Sequence, residues 1–499
     1  MMNDYACDAF FAEMGRLALE FDDVMLKTRY SDHMPTDVSL ESAFSRTVKL
    51  KIPVVSAAMD TVTESKMAIA LAKLGGIGVI HRNLSPEEQG LHVHSVKRHL
   101  NGRIEKPITV CETETIQEIL NRRKAMKHSF HSFPVINNYG KVVGILTSND
   151  FDFCENPNAL VKDVMTAGLV SASPAMTLAD ALTHMRTYKK KVLPLVDSDG
   201  LLHGMYVFSD VRRIIHGSSP MFNLDQNGRL RVAAAIGVGD DARKRMEHFP
   251  ADLDAVVIDT AHGDTKAALE TLKFIKRSGA ACDVIVGNVT EADSAMRLIY
   301  AGADGIKVGQ GPGSICTTRI VAGVGCPQLT AVYQCAKAAR ASMTPVCADG
   351  GIVTSGHIPK AIGAGASCVM LGRLLAGCDE SPGEVVVHHN SRVKKYRGMG
   401  SLGAMQERGG RERYDQGDTP ANKLVPEGIE GAVPYTGSLE TVLHQLLGGL
   451  RAGMGYTGAR DISELQYVAD FHRITPVGLQ ISHPHDVMMV SDAPNYTRR

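Results

Sequence analysis

Ala301-Gly302-Ala303-Asp304-Gly305-Ile306-Lys307-Val308-Gly309-Gln310-Gly311-Pro312-Gly313-Ser314-Ile315-Cys316-Thr317-Thr318-Arg319 holds the unit from which the fold can be read: a tight turn, a short apolar run, then a glycine-rich loop. The turn returns as Ala364-Gly365-Ala366-Ser367, again ahead of a short apolar run. Working outward, such runs recur at Pro53–Ser56, Gly76–His81, Val232–Val238, Asp254–Asp259, Asp283–Asn288, Asp304–Gly309, Thr344–Asp349 and Ser367–Gly372. Each ends in a polar or glycine residue and is followed by an amphipathic helical stretch. Near-continuous apolar strands alternating with helices are the pattern of a parallel sheet covered on its outer face. Eight of them predict an α/β protein built as a closed (β/α)8, or TIM, barrel, with an open doubly wound sheet as the alternative.

Between the second and third runs the rhythm breaks. Residues 103–216 form two similar units, each reading extended, helix, strand, strand, helix. The first ends in Thr147-Ser148-Asn149-Asp150 and the second in Ser209-Asp210. A tandem repeat set into a loop is a domain of its own. Gly217-Ser218-Ser219-Pro220 supplies a hinge back to the barrel. The predicted organisation is therefore barrel over 1–102, insertion over 103–216, and barrel again over 217–499.

A chain of 499 residues exceeds what one hydrophobic core usually fills. Lys+Arg and Asp+Glu both total 54, so bulk charge gives no argument for a nucleic-acid partner. The ten cysteines show no C-x-x-C pair and no zinc-ligand spacing, which points to reduced thiols. The acidic start and the lack of a long apolar run predict a cytoplasmic protein without a membrane segment.

The glycine-rich loop is where chemistry is expected. Glycines let the backbone approach a ligand closely, and Ser314 with free N–H groups offers donors to an anion. Cys316 then stands as a nucleophile beside a phosphate seat, although a lone thiol in a βα turn is more often a small packing residue. In a (β/α)8 barrel, ligands sit at the carboxyl ends of the strands, with phosphate commonly held after strands seven and eight. Gly351 and Gly372 stand there, with helix N-termini expected behind them, and Asp349 can accept from sugar hydroxyls. The polar stretch over 394–434 is long for a loop and is expected to be a mobile lid.

Four segments together resemble the inosine-5′-monophosphate dehydrogenases of bacterial type: Gly311 to Thr318, Pro53 to Glu64, Tyr396 to Met405, and Leu424 to Gly431. The likeness spans essentially the whole chain, and the inserted repeats resemble a tandem CBS pair, or Bateman module. It implies oxidation of IMP to XMP with NAD in guanine nucleotide biosynthesis. Cys316 would add to purine C2, and the resulting thioimidate would be hydrolysed. The family's substrate contacts fall on Ser314, Asp349, Gly351, Gly372, Tyr396, Met399, Gly400 and Glu427, with Arg373 where many relatives have a small residue. Its cofactor contacts fall on Asp259, His262 and Asn288. No Gly-x-Gly-x-x-Gly follows a strand, so no Rossmann-type site is expected.

The resemblance gives the hydrolytic step to Arg413 and Tyr414, on a lid that enters after the reduced cofactor leaves. A guanidinium is a poor base, so either Arg413 is held neutral or it orients water while Thr318 and Glu427 take the proton. Asp415-Gln416 follows the pair where relatives usually carry an aromatic. A potassium ion is implied on carbonyls of Gly311, Gly313 and Cys316, with Ile481, Ser482 and His483 of a neighbouring subunit. The family is homotetrameric, with octamers as a further assembly. Purine nucleotides are implied at the CBS pair through Thr147 to Asp150, whereas Val207 replaces the matching threonine in the second repeat. The alternatives are a GMP reductase, which turns GMP to IMP with NADPH, and a non-catalytic purine-nucleotide sensor.

Overall fold

The computed structural model describes residues 5–499 except 101–102, 105–106, 126–131, 218–219, 407–409, 415, 417–419, 489, 491–492 and 497–499. Ser218 and Ser219 of the expected hinge, and Asp415, thus lie outside the described residues. The chain divides into two compact units, one of Met1–His99 with Met221–Arg499, the other of Leu100–Pro220.

In the first unit eight parallel strands close into a barrel. They are β1 (Val54–Ser56), β2 (Ile77–Ile80), β3 (Ala233–Ile236), β4 (Ala255–Asp259), β5 (Asp283–Val289), β6 (Gly305–Val308), β7 (Val346–Asp349) and β8 (Cys368–Leu371). Their spatial order is their chain order, and β8 returns to β1 through Met370 opposite Val55. Despite the insertion between them, β2 and β3 pair directly, with Val79 opposite Ala233 and Ile80 opposite Ala234. All eight runs expected from sequence are strands, trimmed by a residue or two at most ends, so the sheet is the closed (β/α)8 form.

The barrel is filled from its amino-terminal end. A hairpin of Ser42–Ala43 and Lys49–Leu50 inserts Phe44, Val48 and Leu50 among Ile77, Val79, Ala233, Ala235, Ala255, Val257 and Ile285. The small side chains of Ala233 and Ala235, on the inward face of β3, leave room for that plug. Outside, the helices present one apolar face to the strands. Helix Lys266–Arg277 buries Ala268, Thr271, Leu272 and Ile275 at helical spacing, starts at a Thr265 side chain that accepts from Ala268 N, and ends in Lys276 and Arg277. An N-terminal helix, Cys7–Met14, docks through Phe11 stacked on Tyr333 at 3.7 Å between centroids, and through Asp8 paired with Arg340 at 2.7 Å.

The expected lid needs correction at both ends. Ser391–Arg397 is the central strand of a three-stranded antiparallel sheet between Val385–His388 and Glu430–Pro434. Lys394, where the expected lid was to start, is buried and donates to the carbonyls of Cys378 at 2.9 Å and Ser381 at 2.7 Å, and burial pushes its ammonium below the usual range. Only the stretch between these strands is lid-like, with short helices Leu402–Gln406 and Gly410–Arg413.

The second unit holds the tandem repeat. Val110–Cys111, Ser132–Ile136 and Val142–Thr147 form one sheet. Val192–Val196 and Leu202–Val207 form another, completed by Arg103–Ile104 from the start of the insertion. Each repeat has its own apolar cluster, around Phe133, Leu146 and Val161 in the first and Leu182, Leu193 and Tyr206 in the second.

Candidate active site

β6 ends at Val308 and a short helix begins at Thr318, so the nine residues 309–317 form the loop that presents Cys316. Gly309 takes φ +142°, and a Cβ there would strike the Asp349 carbonyl, so the loop lies directly on the end of β7. Gln328 ties the two strand ends by donating through Nε2 to Val308 O at 2.9 Å and Asp349 O at 3.1 Å. Arg319 ties the loop to itself, donating to Gln310 O at 3.0 Å and Cys326 O at 2.5 Å, and its guanidinium is held by Glu20.

The half-buried Cys316 thiol donates to Thr318 Oγ1 at 3.2 Å, and Thr318 donates in turn to Glu427 Oε2 at 2.7 Å. Backbone bonds hold Glu427 there: Thr317 N donates to Glu427 O at 2.9 Å, and Ile429 N donates to Ile315 O at 2.9 Å. A sulfur, a hydroxyl and a carboxylate thus stand in series, an arrangement that can move a proton away from the thiol.

Arg413 and Tyr414 close the cleft from the opposite side. The Arg413 guanidinium contacts Asp259 at the end of β4, and Ala261 N donates to Arg413 O at 3.1 Å. Burial pushes the guanidinium below its ordinary value, opposed by Tyr414 and reinforced by the charge of Arg82. The Asp259 carboxylate in direct contact favours its charged form. Burial raises the Tyr414 phenol, with Cys316 and Glu427 adding to the rise and Arg413 opposing it. The Tyr414 ring lies on Gly400, where a Cβ would be 2.5 Å from Tyr414 Cζ.

The cleft between these walls has a volume of about 130 Å³. Of the residues expected at the site, Cys316, Asp349, Tyr396, Met399, Glu427, Arg413, Tyr414, Asp259, Gly311 and Gly313 line it. Gly372 lies just behind, where a Cβ would be 3.0 Å from the Tyr396 hydroxyl. Burial pushes that hydroxyl's pKa well up, and the charge of Arg373 opposes the rise. The helix expected behind the phosphate seat follows Gly372 at once, as Arg373–Ala376, but after Gly351 the next helix begins only at His357. The Gly350-Gly351 turn still abuts the cysteine loop, since a Cβ at Gly350 would lie 2.9 Å from Pro312 Cγ. Ser314 is exposed and does not line the cleft.

Asn288 does not face the cleft. It is buried, donating to Gly309 O at 2.6 Å and Asp349 Oδ2 at 2.9 Å. His262 is exposed at the rim, with Nδ1 3.1 Å from Gln310 Nε2. Ile481, at the end of helix Pro476–Ile481, and the exposed Ser482 and His483 beyond it are not among the lining residues.

Two residues escaped the sequence reading. Lys307, in the middle of β6, lines the cleft at 1 % exposure and reaches Asp259 Oδ1 at 2.9 Å and Asp349 Oδ2 at 2.6 Å. A lysine inside an otherwise apolar strand was the available signal. Asp60 accepts from Arg397 at 2.6 Å and Asn83 at 2.8 Å, joining the first two strand-end loops to the sheet that carries the lid.

Comparison with known proteins gives one consistent family. The profile described as "IMP dehydrogenase / GMP reductase domain" matches residues 18–485. Inosine-5′-monophosphate dehydrogenase of Aquifex aeolicus is 48% identical over 482 residues, 96% of this chain and 97% of its own length. That of Halalkalibacterium halodurans is also 48% identical, over 96% of this chain and 98% of its own. That of Staphylococcus aureus is 46% identical, over 97% and 99%. Among solved structures, a cysteine-to-alanine variant of Trypanosoma brucei GMP reductase in complex with guanosine 5′-monophosphate superposes with a TM-score of 0.83 at 38% identity, covering 96% of this chain and 100% of that one.

Proposed function

The chain belongs to the IMP dehydrogenase / GMP reductase family, and from its site we propose that it oxidises IMP to XMP with NAD. The observation that carries this reading is the seating of Arg413 and Tyr414 across the cleft from Cys316. A reaction that ends in hydrolysis needs groups to position water at the cysteine adduct, whereas a reductase releasing ammonia does not. The dehydrogenases are also closer in sequence than the GMP reductase, at 48% against 38% identity.

The Cys316 sulfur adds to purine C2, and its proton passes through Thr318 to Glu427. NAD, when bound, would supply the acceptor for the hydride that leaves C2, and Cys316 would then carry a thioimidate. Water then adds to C2, the carbon–sulfur bond breaks, XMP is released and the thiol is restored. Covalent attachment splits one hard displacement into two easier steps. Arg413 faces a carboxylate, which suits orienting water better than removing its proton. Once Glu427 has passed its first proton to solvent, the Thr318–Glu427 pair can take a second from the attacking water and return it to the departing sulfur, so that pair serves as the base, and Tyr414 shields the adduct. Asp349 accepts from the ribose hydroxyls, and Tyr396 with the Gly372 turn faces the phosphate.

Asp259 and His262 would hold the cofactor at the barrel mouth, and Asp259 fits that role because Arg413 already shows it binding a polar partner there. Dinucleotide and Arg413 thus exchange at one carboxylate. A potassium ion would rest on carbonyls of Gly311, Gly313 and Cys316 and of 481–483 from another subunit.

The inserted unit would be a CBS pair that senses purine nucleotides. A cavity of about 530 Å³ opens at its second repeat, lined by Lys191, Val207, Asp210 and Arg212. At the first repeat, Thr147 and Asp150 hydrogen-bond each other at 2.8 Å. No helix among the described residues is long and apolar enough to cross a membrane.

The test is spectrophotometric. IMP with NAD should yield NADH, and mass spectrometry of trapped enzyme should find a purine adduct on Cys316. GMP-dependent NADPH oxidation without any NADH signal would establish the reductase reading, favoured by the Trypanosoma brucei neighbour, instead.

A further inference from the structure

Lys307 sits where the two ligand-facing carboxylates of the barrel come closest. Its ammonium meets Asp259 Oδ1 at 2.9 Å and Asp349 Oδ2 at 2.6 Å, and donates to Asn288 Oδ1. Burying an ammonium is costly unless it is paired, and here two carboxylates and an amide satisfy it. The pattern of oxygens carries the argument. Asp349 gives Oδ2 to both Lys307 and Asn288, while its Oδ1 accepts no hydrogen bond among the described residues and the side chain is 19% exposed on the cleft. Asp259 likewise gives Oδ1 to Lys307 and Oδ2 to Arg413. Each carboxylate keeps one oxygen beside the lysine, Asp349 Oδ2 in a hydrogen bond and buried Asp259 Oδ1 in an ion pair without one, and keeps the other for a different partner.

We infer that Lys307 is a positioning residue that orients both carboxylates and couples the mononucleotide side of the cleft, at Asp349, to the side where Arg413 and the dinucleotide exchange, at Asp259. The identity of those ligands rests on the function proposed above. The coupling is electrostatic: without the ammonium, two carboxylates face each other across a buried space, and one must take up a proton over a wider pH range. The titratable and charged groups around them are Cys347 on β7 with Cys368 beside it on β8, Cys316 of the loop after β6, Tyr396 and Glu427 of the lid-bearing sheet and its approach, Arg413 and Tyr414 of the lid, and the charges of Arg82 and Arg373.

The experiment measures nucleotide affinity by calorimetry without cofactor, from pH 6 to 9, using whichever of IMP and GMP the wild-type enzyme binds. Failure of the proposed function then shows in the wild type, and failure of the lysine's role shows in the variants. Lys307→Met should weaken binding by roughly tenfold or more, with the loss growing as pH falls, while the wild type stays flat. Lys307→Arg, which keeps the charge, should hold most of the affinity. Lys307→Met combined with Asp259→Asn should regain part of the loss and flatten the profile, because the surplus carboxylate is gone. A lysine that only fills space would give additive losses and no pH dependence, and that result would overturn the inference. Should Lys307→Met not fold, the double variant is compared with wild type directly. A flat profile with affinity within a few fold supports the coupling, and a steep acid fall or a tenfold loss refutes it.

Discussion

Gly400→Ala is a one-methyl perturbation aimed at the hydrolytic half of the cycle. A Cβ at Gly400 would stand 2.5 Å from Tyr414 Cζ, 2.7 Å from its hydroxyl oxygen and 2.8 Å from Cε2. Ordinary carbon contacts begin near 3.5 Å, so the ring must move by about 1 Å. Gly400 is not among the positive-φ glycines, so alanine adds no backbone strain there, and IMP affinity measured alongside separates the Tyr414 contact from any effect on substrate binding. A displacement of about 1 Å in a catalytic constellation costs roughly a hundredfold, or about 2.7 kcal/mol of barrier. Because Tyr414 serves only after hydride transfer in the proposed cycle, the loss should fall on hydrolysis. In stopped flow, the first equivalent of NADH per site should form at close to the wild-type rate. Steady-state turnover should then drop by roughly ten- to a hundredfold as the adduct accumulates on Cys316. A variant with both phases unchanged, or with the first phase slowed as much as the second, would refute the role given to Tyr414.

Thr318→Val keeps the shape of the side chain but removes the hydroxyl between the Cys316 sulfur and Glu427. Turnover should fall by roughly a hundredfold or more, with IMP affinity kept, and pre-steady-state kinetics will show whether adduct formation slows as well. The N-terminal helix should undock in acid. Burial raises the Asp8 carboxyl, but hydrogen bonds from Arg340 and Tyr333 and the nearby positive charge outweigh it and hold the pKa below the usual range. A depressed folded pKa means the contact contributes fully above the unfolded value and is lost as pH falls through the folded one. Hydrogen exchange over residues 7–14 should therefore rise below about pH 4, and Asp8→Asn should show the faster exchange already at neutral pH. Turnover should be higher in potassium than in a bulky organic cation, and equal rates would count against a carbonyl-bound ion at the cysteine loop.

The barrel was legible because its strands are buried on both faces, which writes each one as a short apolar run between turn residues. The cysteine loop was legible because close packing of Gly309 on the Asp349 carbonyl demands glycine there. The ends of the lid were not. Ser391–Arg397 carries charges at 392, 394, 395 and 397 with only Val393 and Tyr396 apolar, so no period of two marks it as a strand, and Lys394 is satisfied by two carbonyls that only the folded sheet brings to it. Lys307 was hidden for the same reason: its partners come from β4, β5 and β7, and only the closed barrel brings them within reach. Asn288 shows the converse. Its place at a strand end suggested a ligand contact, yet its amide is consumed inside the site. Polar residues whose partners come from other strands are the part of a site that local pattern cannot reveal.

The use of oxygens also orders the two ligands. With Arg413 seated, Asp259 and Asp349 are balanced by Lys307 and Arg413, two charges of each sign. Asp259 is 3% exposed, so withdrawing the guanidinium leaves one uncompensated negative charge in a place with little water, at a cost of several kcal/mol. The lid therefore rests closed unless an incoming group brings donors to the vacated oxygen. The ligand at Asp349 makes no such demand, because it addresses Oδ1, which Arg413 does not use. A mononucleotide can thus stay in place with the lid either seated or withdrawn, whereas any group that hydrogen-bonds Asp259 Oδ2 must alternate with Arg413. That asymmetry is what a two-step reaction on a tethered substrate requires: the same adduct meets first the dinucleotide and then the lid, with no step at which it must let go.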